Sequence, residues 1–219
     1  GHPSRRKGSG QSKLAYPLAK RNPRWKGLLS RLARLASLDR LHAARAVDYR
    51  RLRNFTTSLI RAANPLINDP SWGAYYFWKN GEIVEEHAVR CPATMAALDL
   101  APMPRIDKRS PIALWSLLKP GTHIKPHHGL LNTRLICHIP LIIPENCALR
   151  VGNDTRAWKE GEALIFDDSI EHEAWNRSEE TRVVLLFEVW RPEIGMAERE
   201  ALTAIFETIN EYQGVPDET

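Results

Sequence analysis

From residue 111 onward the chain is cut into short apolar or alternating runs by clusters of turn-forming residues. IALWSLL, RLICHIPLII, ALRVG, AWKEGEALIF, HEAWN and TRVVLLFEVW follow one another within 80 residues. Runs this short, recurring at roughly eight-to-twelve-residue intervals, can bury themselves only as strands of a sandwich or a barrel. An earlier run, WGAYYFWKNG (72–81), is aromatic-rich and ends on an Asn-Gly turn, whereas MAEREALTAIFETINEY (196–212) has helical spacing. No internal repeat of useful length is present, so solenoid and propeller architectures drop out.

The segment before this region has a different character. Leu28, Leu32, Leu35, Leu38 and Leu41 recur at three- and four-residue steps, and Ala44, Val47, Leu52 and Ile60 follow among arginines. That spacing predicts helix with a basic outer face, broken once or twice. Residues 1–24 are rich in Gly, Ser, Pro and positive charge and lack the apolar groups to order themselves. The expected organisation is a basic flexible tail over 1–26, a basic helical extension over 27–66, and a β-domain with a C-terminal helix over 67–219.

Charge is divided along the same line. Residues 1–62 hold sixteen Lys and Arg against Asp39 and Asp48, while the remainder holds fifteen against twenty-four acids. A basic segment with leucines, and with Arg21, Arg24 and Trp25 as a small basic-aromatic group, could meet an acidic lipid surface or nucleic acid. Packing against the acidic β-domain of the same chain is the favoured reading, because opposite charges within one chain need no outside partner. Three Cys, at 91, 137 and 147, form neither a zinc-spaced pair nor a disulfide framework, which suggests a reducing, cytoplasmic setting. No apolar run is long enough to span a bilayer and no secretory leader is readable. The Gly-His start reads as a segment of a longer protein carrying an expression scar.

Four of the eight histidines fall within HIKPHHGLLNTRLICHIP (123–140). Non-haem iron sites use two imidazoles and usually a carboxylate, in the order His-x-Asp/Glu and a distant His. Here His127-His128-Gly129 supplies His-x-Gly, and His172 follows 45 residues later. Ten residues further, Arg182 opens an apolar strand with a guanidinium suited to a dicarboxylate. By spacing alone, a metal site and ordinary hydrogen-bonded histidines are evenly matched.

The phrases PGTHIKPHHG, N-x-RL-x-x-H, W-x-x-G-x-x-x-x-FDDS-x-x-HE-x-W and R-x-x-L…W-x-P, in this order over residues 72–194, resemble the aspartyl/asparaginyl β-hydroxylase family of iron(II)- and 2-oxoglutarate-dependent dioxygenases. The resemblance implies a mainly β, cupin-like double-stranded β-helix (jelly roll) with flanking α-helices. It makes His127 and His172 the Fe(II) ligands, with Gly129 at the vacant third-ligand position. It likewise assigns Arg182, His138 and Ser116 to 2-oxoglutarate, with O2 as co-reactant and succinate and CO2 as products. No further catalytic side chain is implied beyond the metal site. His123 and His128 match no ligand and are expected to be structural, His123 the less exposed. FDDS (166–169) is read as a buried Asx turn in preference to a source of a third ligand. Trp158 is expected to pack a strand-to-turn element, and Trp175 and Trp190 to belong to the core.

Arg134, Ile136 and Trp72 are assigned to the substrate side. Family members that modify growth-factor-like domains carry an Arg where this chain has Ile136, two residues after Arg134. In an extended strand Arg134, Ile136 and His138 share a face, so an apolar group replaces a cation in the cavity. Cys91 likewise has Met95 where a second thiol would be needed for the secretory-pathway pair. The expected function is hydroxylation of an Asp- or Asn-type residue in a peptide or protein. The alternatives are an oxygenase or halogenase acting on a free amino acid, small molecule or lipid, and a non-catalytic module working through its basic segment.

Overall fold

The computed structural model describes residues 23–39 and 71–213. The expected tail up to residue 22 and most of the basic extension, from residue 40 onward, lie outside the described residues. Helix α1 (Pro23–Leu38) starts four residues before the expected boundary, with proline in the first helical position where its missing N–H costs nothing. Strands β1 (Trp72–Lys79) and β2 (Glu82–Ile83) form a hairpin around Asn80 and Gly81, both at positive φ. That is the conformation Asn-Gly adopts most readily in a two-residue turn. Two short helices that the periodicity did not signal follow, α2 (Glu85–Ala88) and α3 (Pro92–Leu98).

The remaining strands are β3 (Ala113–Leu118), β4 (His123–His127), β5 (Arg134–Ile142), β6 (Cys147–Val151), β7 (Asp154–Ala157), β8 (Leu164–Phe166), β9 (His172–Asn176) and β10 (Arg182–Trp190). Helix α4 (Met196–Gln213) closes the described chain. AWKEGEALIF, read as one run, is two strands, with Trp158–Glu162 making the reversal between β7 and β8.

All pairings are antiparallel. One sheet runs β2-β1-β3-β10-β5-β8 and the other β4-β9-β6-β7. Two facing sheets in this order form the double-stranded β-helix expected from the sequence, with β3, β10 and β5 at the centre of the larger sheet.

The parity of residues along those central strands decides what faces where. Leu135, Cys137, Ile139, Val183, Leu185 and Phe187 lie on the outer face, in one core with Leu29, Leu32 and Ala36 of α1 and Ala97 and Leu98 of α3. Ile136, Val184 and Leu118 lie on the inner face, in a second core with Ile124, Leu149, Val151 and Ala174 of the smaller sheet and with Trp158 and Phe166. Covering both faces explains why β3, β5 and β10 are buried along almost their whole length. Arg31 and Arg34 remain exposed, while Leu29 and Leu32 of α1 are buried and Leu28 and Leu35 partly so; Leu38 at its end is exposed. Asp39, just past that helix, accepts from Thr94 N and Thr94 Oγ1, both at 2.8 Å. It thereby satisfies an early N–H of α3 and ties the two helices together.

Candidate functional site

The inner face of the barrel carries the polar residues that the outer face lacks. His127, at the end of β4, stands directly opposite His172, the first residue of β9, in the antiparallel ladder. Forty-five residues of sequence separation thus become a cross-strand pair, with ring centroids 4.1 Å apart. A ladder irregularity between Ile124 and His127 sets the register locally, as bulges near functional sites do.

Each ring is oriented by the backbone carbonyl two residues before it. His127 Nδ1 donates to Lys125 O at 2.8 Å and His172 Nδ1 donates to Ile170 O at 3.0 Å. A neutral imidazole that donates from Nδ1 keeps its lone pair on Nε2, and this second-sphere arrangement prepares a histidine to ligate a metal. Burial, and the neighbouring His127, pull the His172 pKa below its ordinary value, which favours that neutral form. Among the described residues, no group of three or more His, Cys, Asp and Glu could hold a metal. The donor set that fits a divalent ion is the two imidazoles.

Gly129 lies two residues beyond His127, and the space beside its Cα is occupied. A Cβ there would lie 2.0 Å from Asp168 Oδ2 and 2.4 Å from Asp168 Cγ, while Gly129 N donates to Asp168 O at 2.6 Å. The volume a ligand side chain would need at 129 therefore holds the carboxylate of Asp168. That carboxylate accepts from Arg134 Nη1 at 2.7 Å, and Arg134 Nε lies 2.6 Å from Glu188 Oε1. Burial would lower the Arg134 pKa, but Glu188 and Asp168 more than offset it. Glu188 Oε2 in turn accepts from Ile112 N at 3.1 Å. The FDDS phrase thus divides between two roles. Asp167 makes the expected Asx turn, accepting from Ser169 N at 3.0 Å and Ser169 Oγ at 2.6 Å, and also pairs with Arg191. Asp168 is instead part of the buried ion network beside the histidines.

At the other end of the inner face stands Arg182, 1% exposed. Its Nη1 donates to Ser116 O at 3.2 Å and Ser116 Oγ at 3.4 Å, and its guanidinium lies 4.9 Å from the centroid of the Trp158 ring. Ser116 is on β3, paired in register with Val184 of β10. His138, on β5, is buried, and burial, then Arg182 and His172, hold its pKa well below the ordinary value. Its Nδ1 accepts from Trp158 Nε1 at 3.2 Å, whereas its Nε2 is a buried nitrogen with no hydrogen-bond partner among the described residues. An orphaned polar atom in the field of a buried guanidinium suits a small anion, so the residues present fit a carboxylate cosubstrate.

Trp72, Trp158 and His123 each have defined partners. Trp72, expected on the substrate side, donates from Nε1 to Ser116 Oγ at 3.1 Å. Trp158 does more than pack, because its N–H is committed to His138. His123 and His128 are both exposed, and His123 Nε2 lies 2.6 Å from Glu173 Oε2 at the surface. Ile136 does share a face with Arg134 and His138, within the inner core. The Arg134–Asp168–Glu188 network escaped sequence reading. Its one available signal was Glu188, an acid inside the otherwise apolar run VVLLFEVW; burial pushes the pKa of its carboxyl above the ordinary value while Arg134 pulls it back.

Fold and site together define a double-stranded β-helix whose inner face brings two histidines together across one strand pair and buries Arg182 beside Ser116. The chain belongs to the aspartyl/asparaginyl β-hydroxylase family, a family of hydroxylase enzymes whose sequence model matches residues 29–192. It is 38% identical over 135 residues to the human aspartyl/asparaginyl beta-hydroxylase, covering 61% of this chain and 18% of that one. It is 39% identical over 127 residues to the ornithine lipid ester-linked acyl 2-hydroxylase of Rhizobium tropici, covering 57% of this chain and 43% of that one. The chain spans less than half the length of either relative. A cupin 2 conserved barrel domain protein from Salinispora arenicola is similar over 67% of this chain and 93% of its own, at 14% identity and a TM-score of 0.36.

Proposed function

We propose that the protein is an iron(II)- and 2-oxoglutarate-dependent hydroxylase in which His127 and His172 hold the metal and Arg182, His138 and Ser116 hold the cosubstrate. The observation that carries the reading is the cross-strand histidine pair, with each Nδ1 spent on a backbone carbonyl and each Nε2 left as the ligating atom. Bound there, iron and 2-oxoglutarate supply oxidative decarboxylation by O2, yielding succinate and CO2 and placing one oxygen atom in a substrate C–H bond.

The chain's own residues bind, orient and exclude water. Arg182 takes the carboxylate remote from the metal, in a pocket where burial strengthens the pairing. Ser116 Oγ already accepts from Trp72 Nε1 and Arg182 Nη1, so its own O–H is left to donate to the same carboxylate. Phe166, Leu149 and Trp158 line the inner core and keep bulk water from this end. His127 and His172 would offer Nε2 to the metal because their Nδ1 atoms are committed to the backbone.

The substrate end favours an uncharged reacting group. Arg134 is engaged by Asp168 and Glu188, and a substrate carboxylate arriving at that guanidinium would meet two carboxylates already in place. Ile136 contributes no charge. An Asn-type side chain or an aliphatic carbon suits this surface better than Asp, and the acyl-hydroxylating relative makes a lipid a concrete second candidate. The halogenase alternative loses support, because the carboxylate of Asp168 beside Gly129 repels the halide that a vacancy would admit.

Succinate release, measured with Fe(II), O2 and 2-oxoglutarate against peptide, amino-acid and lipid pools, tests the proposal. Substrate-stimulated succinate that is lost with His172→Ala is expected. A wild-type protein that binds neither Fe(II) nor 2-oxoglutarate would overturn it.

A further inference from the structure

Trp158 lies just beyond β7 and is 4% exposed, yet it makes two contacts that a simple core filler does not need. Its indole N–H is a donor only. At 3.2 Å from His138 Nδ1 it therefore requires that nitrogen to be the acceptor, and the proton of the neutral ring must sit on Nε2. Nε2 is buried and has no hydrogen-bond partner among the described residues. An N–H held in place with no acceptor costs free energy until an acceptor arrives. The opposite tautomer would present a lone pair in its place and repel a carboxylate. The face of the same indole supports Arg182, whose guanidinium carbon is 4.9 Å from the ring centroid, within the range of a cation–π contact.

We infer that Trp158 is the positioning residue of the anion pocket: its N–H selects the His138 tautomer that donates from Nε2 to the cosubstrate carboxylate, while its ring face aims Arg182 at the same group. This role rests on the reading of the pocket as the 2-oxoglutarate site. Its physical content is preorganisation. Donor and cation are both oriented before the ligand enters, so binding need not spend free energy arranging them. A phenylalanine would fill most of the same volume and keep a π face, but it could not choose between the two tautomers.

The test uses the full chain as wild type, Trp158→Phe, His138→Ala and the double variant. Long-range 1H–15N spectra of the protein without metal or cosubstrate report the His138 tautomer. Wild type is expected to show protonated Nε2 and an accepting Nδ1, and Trp158→Phe a mixture of the two forms. Titration of 2-oxoglutarate under anaerobic Fe(II) should show affinity weakened about tenfold by Trp158→Phe, the scale of one buried hydrogen bond. On the His138→Ala background, the part of that loss that runs through the tautomer should disappear. Fe(II) affinity without cosubstrate should not change.

A wild-type His138 protonated on Nδ1 overturns the inference, even if the Phe variant fails to fold. Equal 2-oxoglutarate affinity in wild type and Trp158→Phe does so too, and a loss of the same size on both backgrounds would reduce Trp158 to packing. If wild type shows the expected tautomer but binds no 2-oxoglutarate, the cosubstrate reading fails, and the role with it, while the Trp158–His138 bond stands.

Discussion

Adding a single methyl group at residue 129 tests how the centre is built. A Cβ on Gly129 would stand 2.0, 2.4 and 2.8 Å from Asp168 Oδ2, Cγ and Oδ1. All three are far inside contact distance, so the carboxylate must move. It is short, buried and held by Arg134 at 2.7 Å, and its own backbone carbonyl is fixed by Gly129 N. It can yield only by turning away from Arg134. Breaking a buried ion pair costs about 3–5 kcal/mol, and because Glu188 continues to pair with Arg134 we expect about 2–4 kcal/mol for Gly129→Ala. For a chain of this size that lowers Tm by roughly 4–16 °C. Urea denaturation monitored by tryptophan fluorescence gives the number directly. On an Asp168→Ala background, which removes the obstructing group, the further cost of Gly129→Ala should fall below about 1 kcal/mol. Stability of Gly129→Ala within about 0.5 kcal/mol of wild type, or an equal cost on both backgrounds, would refute the reasoning. The same geometry predicts that Gly129→Asp does not simply add a third ligand, because a second carboxylate would have to displace the first.

Arg182→Ala should weaken 2-oxoglutarate about thirty- to several-thousand-fold by anaerobic titration, with only partial rescue by Arg182→Lys, which keeps charge but loses the fork. Because the residue is 1% exposed, thermal melting should also record a loss of stability for Arg182→Ala. His127→Ala and His172→Ala should each lower Fe(II) affinity at least about tenfold in chelator competition, the lower end of what even an outer-sphere partner is worth. Unchanged metal affinity in either variant would remove that residue from the ligand set. Asp39→Ala strips the acceptor from Thr94 N and Oγ1 and should cost about 1–3 kcal/mol in denaturant unfolding. An effect below about 0.5 kcal/mol would mean that α1 docks through its leucines alone.

Much of the fold was legible in one dimension, because strand periodicity and turn chemistry are local. VVLLFEVW between turn residues can bury itself only as a strand covered on both faces, and Asn80-Gly81 marks a hairpin wherever it stands. Parity placed Arg134, Ile136 and His138 on a common face, since alternation along a strand needs no knowledge of its neighbours. The His-x-Gly…His spacing with Arg182 named the residues of the centre as candidates.

Register and packing decided the rest. That His127 and His172 are opposite each other depends on how β4 pairs with β9, a contact between segments 45 residues apart. That Asp168 occupies the space beside Gly129 depends on a loop returning from β8, and no local pattern could distinguish it from its neighbour Asp167, which makes an ordinary Asx turn. Trp158 read as a core residue because its burial was predictable from its type, whereas the direction of its N–H was fixed only when β5 and the turn after β7 came together around His138. Sequence determined which side chains face inward. Tertiary structure determined which of them meet, because hydrogen bonds and ion pairs are set at the scale of an ångström by strands that are distant along the chain.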